Sequence, residues 1–234
     1  MRRIFTLLAL LFSGTVFGQE TFGSLSFQLA FPQEEYKETY PRTGWGGRLA
    51  VMHRFNDNQP FSIGGELGWL QNGHDSRRFR VPFYGRDNRV QVTATNNVAT
   101  IAFKVRADLI PSRHDFQLFL EGTAGTNVFF SKANYDYGNY NNYYYDYYGY
   151  YPDNNTMYSK NRWTFMWGPG MGAEIKVGKR KDAAIMLKGS YLFGGDTRYL
   201  TDPYISPDGD VFFTEKKSPT TMLIAEAGVR FTIE

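Results

Sequence analysis

Acid–base or nucleophilic catalysis needs a histidine poised against a serine or a carboxylate on one surface. The chain offers three histidines, His53, His74 and His114, and no cysteine. His74 is followed by Asp75 and Ser76, but neighbours in an extended chain point to opposite sides and make no triad by themselves. The chain therefore reads as a non-enzyme, with no catalytic residue assigned. Asp202, Asp208 and Asp210 in DPYISPDGD gather the oxygens that Ca²⁺ prefers, but their spacing departs from that of an EF-hand loop. No metal or cofactor is assigned. The glycines of GPGMG, Gly168, Gly170 and Gly172, are not followed by the helix that a phosphate loop requires. They read as room for bulky side chains opposite.

Two further groups of residues carry chemistry without catalysis. Residues 131–161 hold eleven of the seventeen tyrosines. Tyrosine combines a flat apolar face with one hydroxyl and orders at low entropic cost, which suits contact with a partner. Tyr143, Tyr144, Tyr145, Tyr147, Tyr148, Tyr150 and Tyr151 are the candidate binding residues, for a protein or a glycan. The second group is Arg48, Glu66, Lys104, Arg106, Glu121, Glu174, Lys188, Glu226 and Arg230. Each interrupts the polar face of a segment that otherwise alternates.

That alternation identifies the elements that position them. In FQLFLEGTAGTNVFF, residues 116–130, the even positions are mostly apolar and the odd positions are mixed, with Glu121 in the middle. A strand sends alternate side chains to opposite faces. The segment exceeds the usual strand of about 5–6 residues and suits a bilayer crossing, which takes about 9–11 residues. The pattern recurs at Gly23–Phe31, Gly44–Phe55, Phe61–Gln71, Val98–Leu109, Arg162–Val177, Ala183–Gly194 and Thr221–Ile233. Short turns follow the second, fourth and sixth segments, and long polar stretches follow the others. One of these, residues 72–97, is rich in arginine, and its VQVTAT end extends the next strand. No helical periodicity competes after residue 20. The expected fold is all-β: an eight-stranded antiparallel up-and-down transmembrane β-barrel with both termini at the short-turn end.

Aromatic residues on the apolar faces sort into two heights. Phe31, Trp45, Trp69, Phe130, Trp163, Trp167 and Phe193 fall near the long-loop end, and Phe55, Phe61, Phe116 and Phe231 near the short turns. Two such belts mark two membrane interfaces. The nine charged residues face inward, where an eight-stranded barrel holds side chains but little water, so they must pair. Turn geometry sets Lys104 opposite Glu121, with Arg48 and Glu66 diagonal and Glu174 and Lys188 diagonal. His53 then faces lipid, and His114 lies in a short turn.

Composition agrees. Net charge is +3, with no concentrated basic stripe, which argues against nucleic acid as a partner. Mean hydropathy is −0.45, and no apolar run beyond the N-terminus is long enough for a membrane helix. Residues 1–18 read as a signal peptide: Arg2 and Arg3, an apolar core Ile4–Phe12, then Val16 and Gly18 before the cleavage point. Residues 19–234 are the barrel.

The signal, the eight alternating strands, the inward Arg/Glu/Lys set and the ending Glu226-Ala-Gly228-Val-Arg-Phe231-Thr-Ile233 together resemble the OmpA/OmpX-type small outer-membrane β-barrels, a porin-like family of Gram-negative bacteria. The ending is similar to the family's insertion signal, though Glu234 stands where an aromatic residue usually does. The resemblance covers the mature chain and implies location in the outer membrane, contact with its lipid and lipopolysaccharide, and insertion by the barrel-assembly machinery. It implies no activity. The expected role is structural or adhesive, at the cell surface or as a subunit of a larger membrane complex. Two other readings stay open: a narrow pore for small solutes, and a soluble lipocalin-like carrier with the faces inverted.

Overall fold

The computed structural model describes residues 20–55, 59–83, 86–110, 114–137, 156–179, 181–205 and 211–233. The chain runs β1 (Glu20–Pro32), α1 (Glu34–Thr39), β2 (Gly44–Arg54), β3 (Phe61–Phe83), β4 (Arg86–Asp108), β5 (Phe116–Tyr137), β6 (Thr156–Val177), β7 (Ala183–Gly194), β8 (Asp196–Ile205), β9 (Val211–Pro219) and β10 (Met222–Ile233). Eight strands close an antiparallel barrel in the order β1-β10-β7-β6-β5-β4-β3-β2, and β8 and β9 form a separate hairpin. The seam closes at the chain ends, with Thr21 beside Ile233 and Phe31 beside Leu223. All eight expected strands are present, and the three short turns fall where the sequence puts them.

The outer surface is apolar at mid-height. Leu25, Leu49, Leu67, Ile101, Phe103, Leu120, Phe165, Met171, Leu187 and Val229 are all exposed there. A soluble protein of this size does not present so continuous an apolar surface; a bilayer's hydrocarbon core requires it. On β3 to β6 the band stops at one row of register neighbours, Gln71, Asn97, Phe130 and Asn161. Beyond that row the outward positions of β4 and β5 are Thr95, Thr93, Gln91, Lys132 and Asn134. Rings gather along the upper rim, with Trp69 5.7 Å from Phe130 and Trp167 stacked 4.8 Å from Phe193.

Three features depart from the sequence reading. The VQVTAT end of 72–97 extends the next strand as expected, but the whole stretch is the upper half of a hairpin of two 23-residue strands, β3 and β4, and residues 131–137 and 156–161 continue β5 and β6. Val92, Ala94 and Ala133 are fully buried on the inner face of this raised sheet, so a small-apolar/polar alternation carries the strands on after the lipid-facing pattern ends. A bulge between Gln71 and Gly73 shifts the register of β3. The extra residue exchanges the faces above it, which a strict two-residue reading misses. The second departure is the hairpin β8–β9, which packs against β3, β4, β5, β6 and α1. The third is α1, within what reads as a polar loop. Its Tyr36 and the Tyr40 that follows it lie four apart, stack with ring centroids 6.3 Å apart, and are buried.

Candidate functional site

Two regions concentrate side-chain chemistry: the barrel interior and the raised sheet at the hairpin end. Inside, at mid-height, six charges form a closed ring. Arg48 Nη1 lies 3.0 Å from Glu66 and 3.0 Å from Glu226. Lys104 Nζ bridges Glu66 at 2.9 Å and Glu121 at 2.7 Å. Lys188 Nζ closes the circuit with Glu121 and Glu226, both at 3.1 Å. Around the ring each cation therefore meets two carboxylates and each carboxylate two cations, Lys188 also lies 3.9 Å from Glu66 across it, and Ser26 donates a further hydrogen bond to Glu226. All six are buried. Burying any one of these charges alone costs several kcal/mol, and the alternating ring offsets that cost without leaving net charge.

A second cluster fills the short-turn end. Arg106 holds Glu174 through both terminal guanidinium nitrogens, at 3.1 and 3.0 Å, and Asp108 at 2.6 Å. Arg230 Nε reaches Glu174 at 3.3 Å. Arg54 pairs with Asp108 and with Glu20, the latter at 2.5 Å. The Phe22 ring lies among these arginines, with the guanidinium carbons of Arg230, Arg106 and Arg54 at 4.9, 5.4 and 5.9 Å from its centroid. Arg106 also stacks 3.9 Å over Phe119. A β-carbon on Gly172 would overlap the Phe119 ring, so that glycine makes the space the ring occupies.

The nine charges picked out in the sequence thus fall into these two clusters, with partners that differ in part from the expected ones. In β4–β5, Lys104 stands opposite Thr123 and Arg106 opposite Glu121, because Leu109 bonds to Leu118 across the turn and not to Phe116. The pairing is shifted by two residues. A shift of two preserves faces, so Lys104 still reaches Glu121, on the diagonal. Arg48 and Glu66 are diagonal as expected, since Arg48 faces Gly68 and Ala50 faces Glu66. Glu174 and Lys188 are diagonal too, yet Glu174 pairs with Arg106 and Arg230 while Lys188 turns to Glu121 and Glu226. Arg54, Asp108 and Glu20 complete the second cluster and were not among the nine. Their positions in strand alternation carry the signal, but they lie at strand ends, where inward and outward are hardest to assign.

Above the ionic ring the interior turns apolar. Leu70, Val98, Phe129, Met166, Leu192, Met222 and Ile224 pack with Tyr36 and Tyr40 at α1. The helix is tied to the wall, as Asn72 donates to the Tyr36 hydroxyl and Asn96 Nδ2 to the Tyr40 hydroxyl at 3.2 Å. It closes the mouth of the barrel. A cavity of about 10 Å³ remains among the charged side chains, room for about one water. That filling argues against the pore, and the outward apolar band excludes a lipocalin-like inversion.

His53 lies 3.0 Å from the Thr21 hydroxyl and edge-on to Phe55, and His114 is exposed in a short turn. The side chain of His74, all seven candidate tyrosines from Tyr143 to Tyr151, and Asp208 and Asp210 lie outside the described residues. The two strands that flank the tyrosine-rich segment are β5 and β6, and both extend past the apolar band.

No protein-family model and no curated protein sequence matches the chain. Solved structures are similar to it in fold. Neisserial surface protein A is 12% identical, over 92% of this chain and 96% of its own, with a TM-score of 0.43. A major outer membrane protein from Thermus thermophilus is 10% identical, over 91% and 99%, with a TM-score of 0.48. Ail, the attachment invasion locus protein of Yersinia pestis, is 11% identical, over 91% and 97%, with a TM-score of 0.41. The closed order of eight antiparallel strands, the apolar exterior and the paired charged interior give this chain the architecture of a small transmembrane β-barrel.

Proposed function

We propose that the protein resides in the outer membrane of a Gram-negative bacterium, after removal of residues 1–18, and acts there without enzymatic activity as a surface-exposed binding protein. One contrast carries the reading. The barrel is filled and capped, while β3 to β6 run 22 or 23 residues, about twice what a bilayer crossing takes. The additional length builds a sheet outside the membrane, braced by β8–β9, and the tyrosine-rich segment 138–155 joins β5 to β6 in the sequence at that end. A protein or glycan partner at that end fits the chemistry of the segment, and a neighbouring subunit of a membrane complex is one form such a partner takes.

The test has two stages. Membrane-fraction protein is run in SDS unheated and boiled, since a closed barrel keeps its fold in cold detergent and changes mobility on boiling. Intact cells are then treated with protease. The expected result is a heat-dependent shift in the outer-membrane fraction and cleavage confined to residues 138–155 and 206–210. Recovery in the soluble fraction, or cleavage in the short turns of intact cells, overturns the reading.

A further inference from the structure

Where the apolar band ends on β6, the raised sheet and the hairpin β8–β9 part from each other. They start together, with the Gly195 N–H bonded to the Phe165 carbonyl at 2.8 Å, and then diverge around an open groove of about 320 Å³. Arg162, Trp163, Thr197, Arg198 and Lys217 line it, together with Asn161 of the boundary row and Asp196. Glu215 holds two of the cations in place, Arg162 at 2.5 Å and Arg198 at 3.4 Å. Lys217 pairs with Asp196 at 2.6 Å. Three cations thus face two carboxylates, and each guanidinium has more donors than Glu215 can accept from.

The neutral lining is equally specific. The Thr197 hydroxyl is buried and has no hydrogen-bond partner among the described residues. Trp163 presents a ring that is 68% exposed, directly at the rim of the apolar band. The groove exceeds what a lone phosphate fills and lies within the range of small-molecule sites.

We propose that this groove binds the headgroup of a phosphorylated glycolipid of the outer leaflet, its acyl chains lying on the apolar band below. Arg162, Arg198 and Lys217 meet the phosphate, Asn161 meets a sugar hydroxyl, and the Trp163 ring covers a sugar face or the first methylenes. Guanidinium groups are suited to phosphate by their fork of donors. Position at the membrane rim selects a lipid over a soluble sugar phosphate. The inference rests on the outer-membrane reading above.

The experiment uses the full mature chain in detergent micelles, with native mass spectrometry reading bound ligand. The probes are diphosphorylated lipid A, its dephosphorylated form, and inorganic phosphate. Lipid A is expected to bind. Arg162→Gln and Arg198→Gln are each expected to weaken it by about tenfold, as loss of one charge-assisted contact would, while Lys181→Gln in a short turn leaves it unchanged. Trp163→Ala, which keeps the cations, tests the apolar half and is also expected to weaken lipid A. Equal affinity for the dephosphorylated form, full affinity in both arginine variants, or phosphate competing with lipid A at equal concentration overturns the proposal. Heat-dependent gel mobility of each variant shows that the barrel is intact. Cell fractionation tests the location independently, so failure of the groove and failure of the outer-membrane reading are read separately.

Discussion

Replacing Glu66 by glutamine keeps its shape and opens the ionic ring. Arg48 and Lys104 each lose one of two carboxylates, but Arg48 keeps Glu226 at 3.0 Å and Lys104 keeps Glu121 at 2.7 Å. Removing one member of a buried ion pair costs about 3–5 kcal/mol when the partner is left with nothing. With a second carboxylate retained on both cations, Glu66→Gln falls at the lower end, about 3 kcal/mol. A second substitution, Lys104→Met, then removes the surplus positive charge. The double variant is expected to recover at least about 1 kcal/mol over Glu66→Gln alone, because the interior is neutral again and the two sites share one network. The assay is urea unfolding of the barrel in lipid vesicles, followed by tryptophan fluorescence. The reasoning is refuted if Glu66→Gln lies within about 0.5 kcal/mol of wild type, a surface-like effect. It is also refuted if the double variant is destabilised by the sum of the two single changes.

Three other outcomes are expected. In planar bilayers the protein shows no stable conductance steps, since the ring, the apolar layer and α1 fill the lumen; steps abolished by substituting Glu121 would restore the pore reading. A β-carbon on Gly73 would overlap the Tyr40 hydroxyl, so Gly73→Ala displaces Tyr40 and loosens α1. Limited trypsin digestion of refolded protein then cuts at Lys37 severalfold faster, with the heat-dependent gel shift retained; unchanged cleavage would show that α1 does not depend on this contact. In the short turn, the hydrogen bond from Lys181 at 2.5 Å holds the Asp115 carboxyl below its ordinary pKa. The contact is present at neutral pH and lost as pH falls through that lowered midpoint. Lys181→Ala raises the midpoint in an NMR titration, and an unmoved midpoint would count against the pairing.

How far the sequence could be read depended on which physical signal each feature left. The lipid-facing ladder from Ile101 to Val105 and the buried charges Lys104 and Arg106 that alternate with it are encoded one residue at a time, because a strand has period two. The shifted pairing of Lys104 and Arg106 was not legible: registers differing by two residues place the same side chains inside, and only the Leu109–Leu118 backbone hydrogen bond shows which of them forms. Of the raised sheet only the VQVTAT end was legible, where Val90, Val92 and Ala94 alternate with Gln91, Thr93 and Thr95; the rest of 72–97 is too polar to read as a membrane strand. The sheet is covered by β8–β9, not by lipid. Helix α1 left only Tyr36 and Tyr40 at helical spacing, and a six-residue helix is too short to be stable except through what it packs against.

The sequence by itself determined the barrel. Eight segments with an apolar and a charged face have one arrangement that satisfies lipid outside and ion pairs inside, and mid-strand residues declare their face locally. The tertiary structure decided what fills the barrel and what rises from it: a six-charge ring, a lid of two tyrosines, and a sheet that outruns the membrane and opens a cationic groove at its rim. These depend on distances between strands far apart in the chain, such as Arg48 to Glu226 and Arg162 to Glu215. Only closure of the barrel and packing of β8–β9 bring those partners together, and alternation along a single strand carries no record of them.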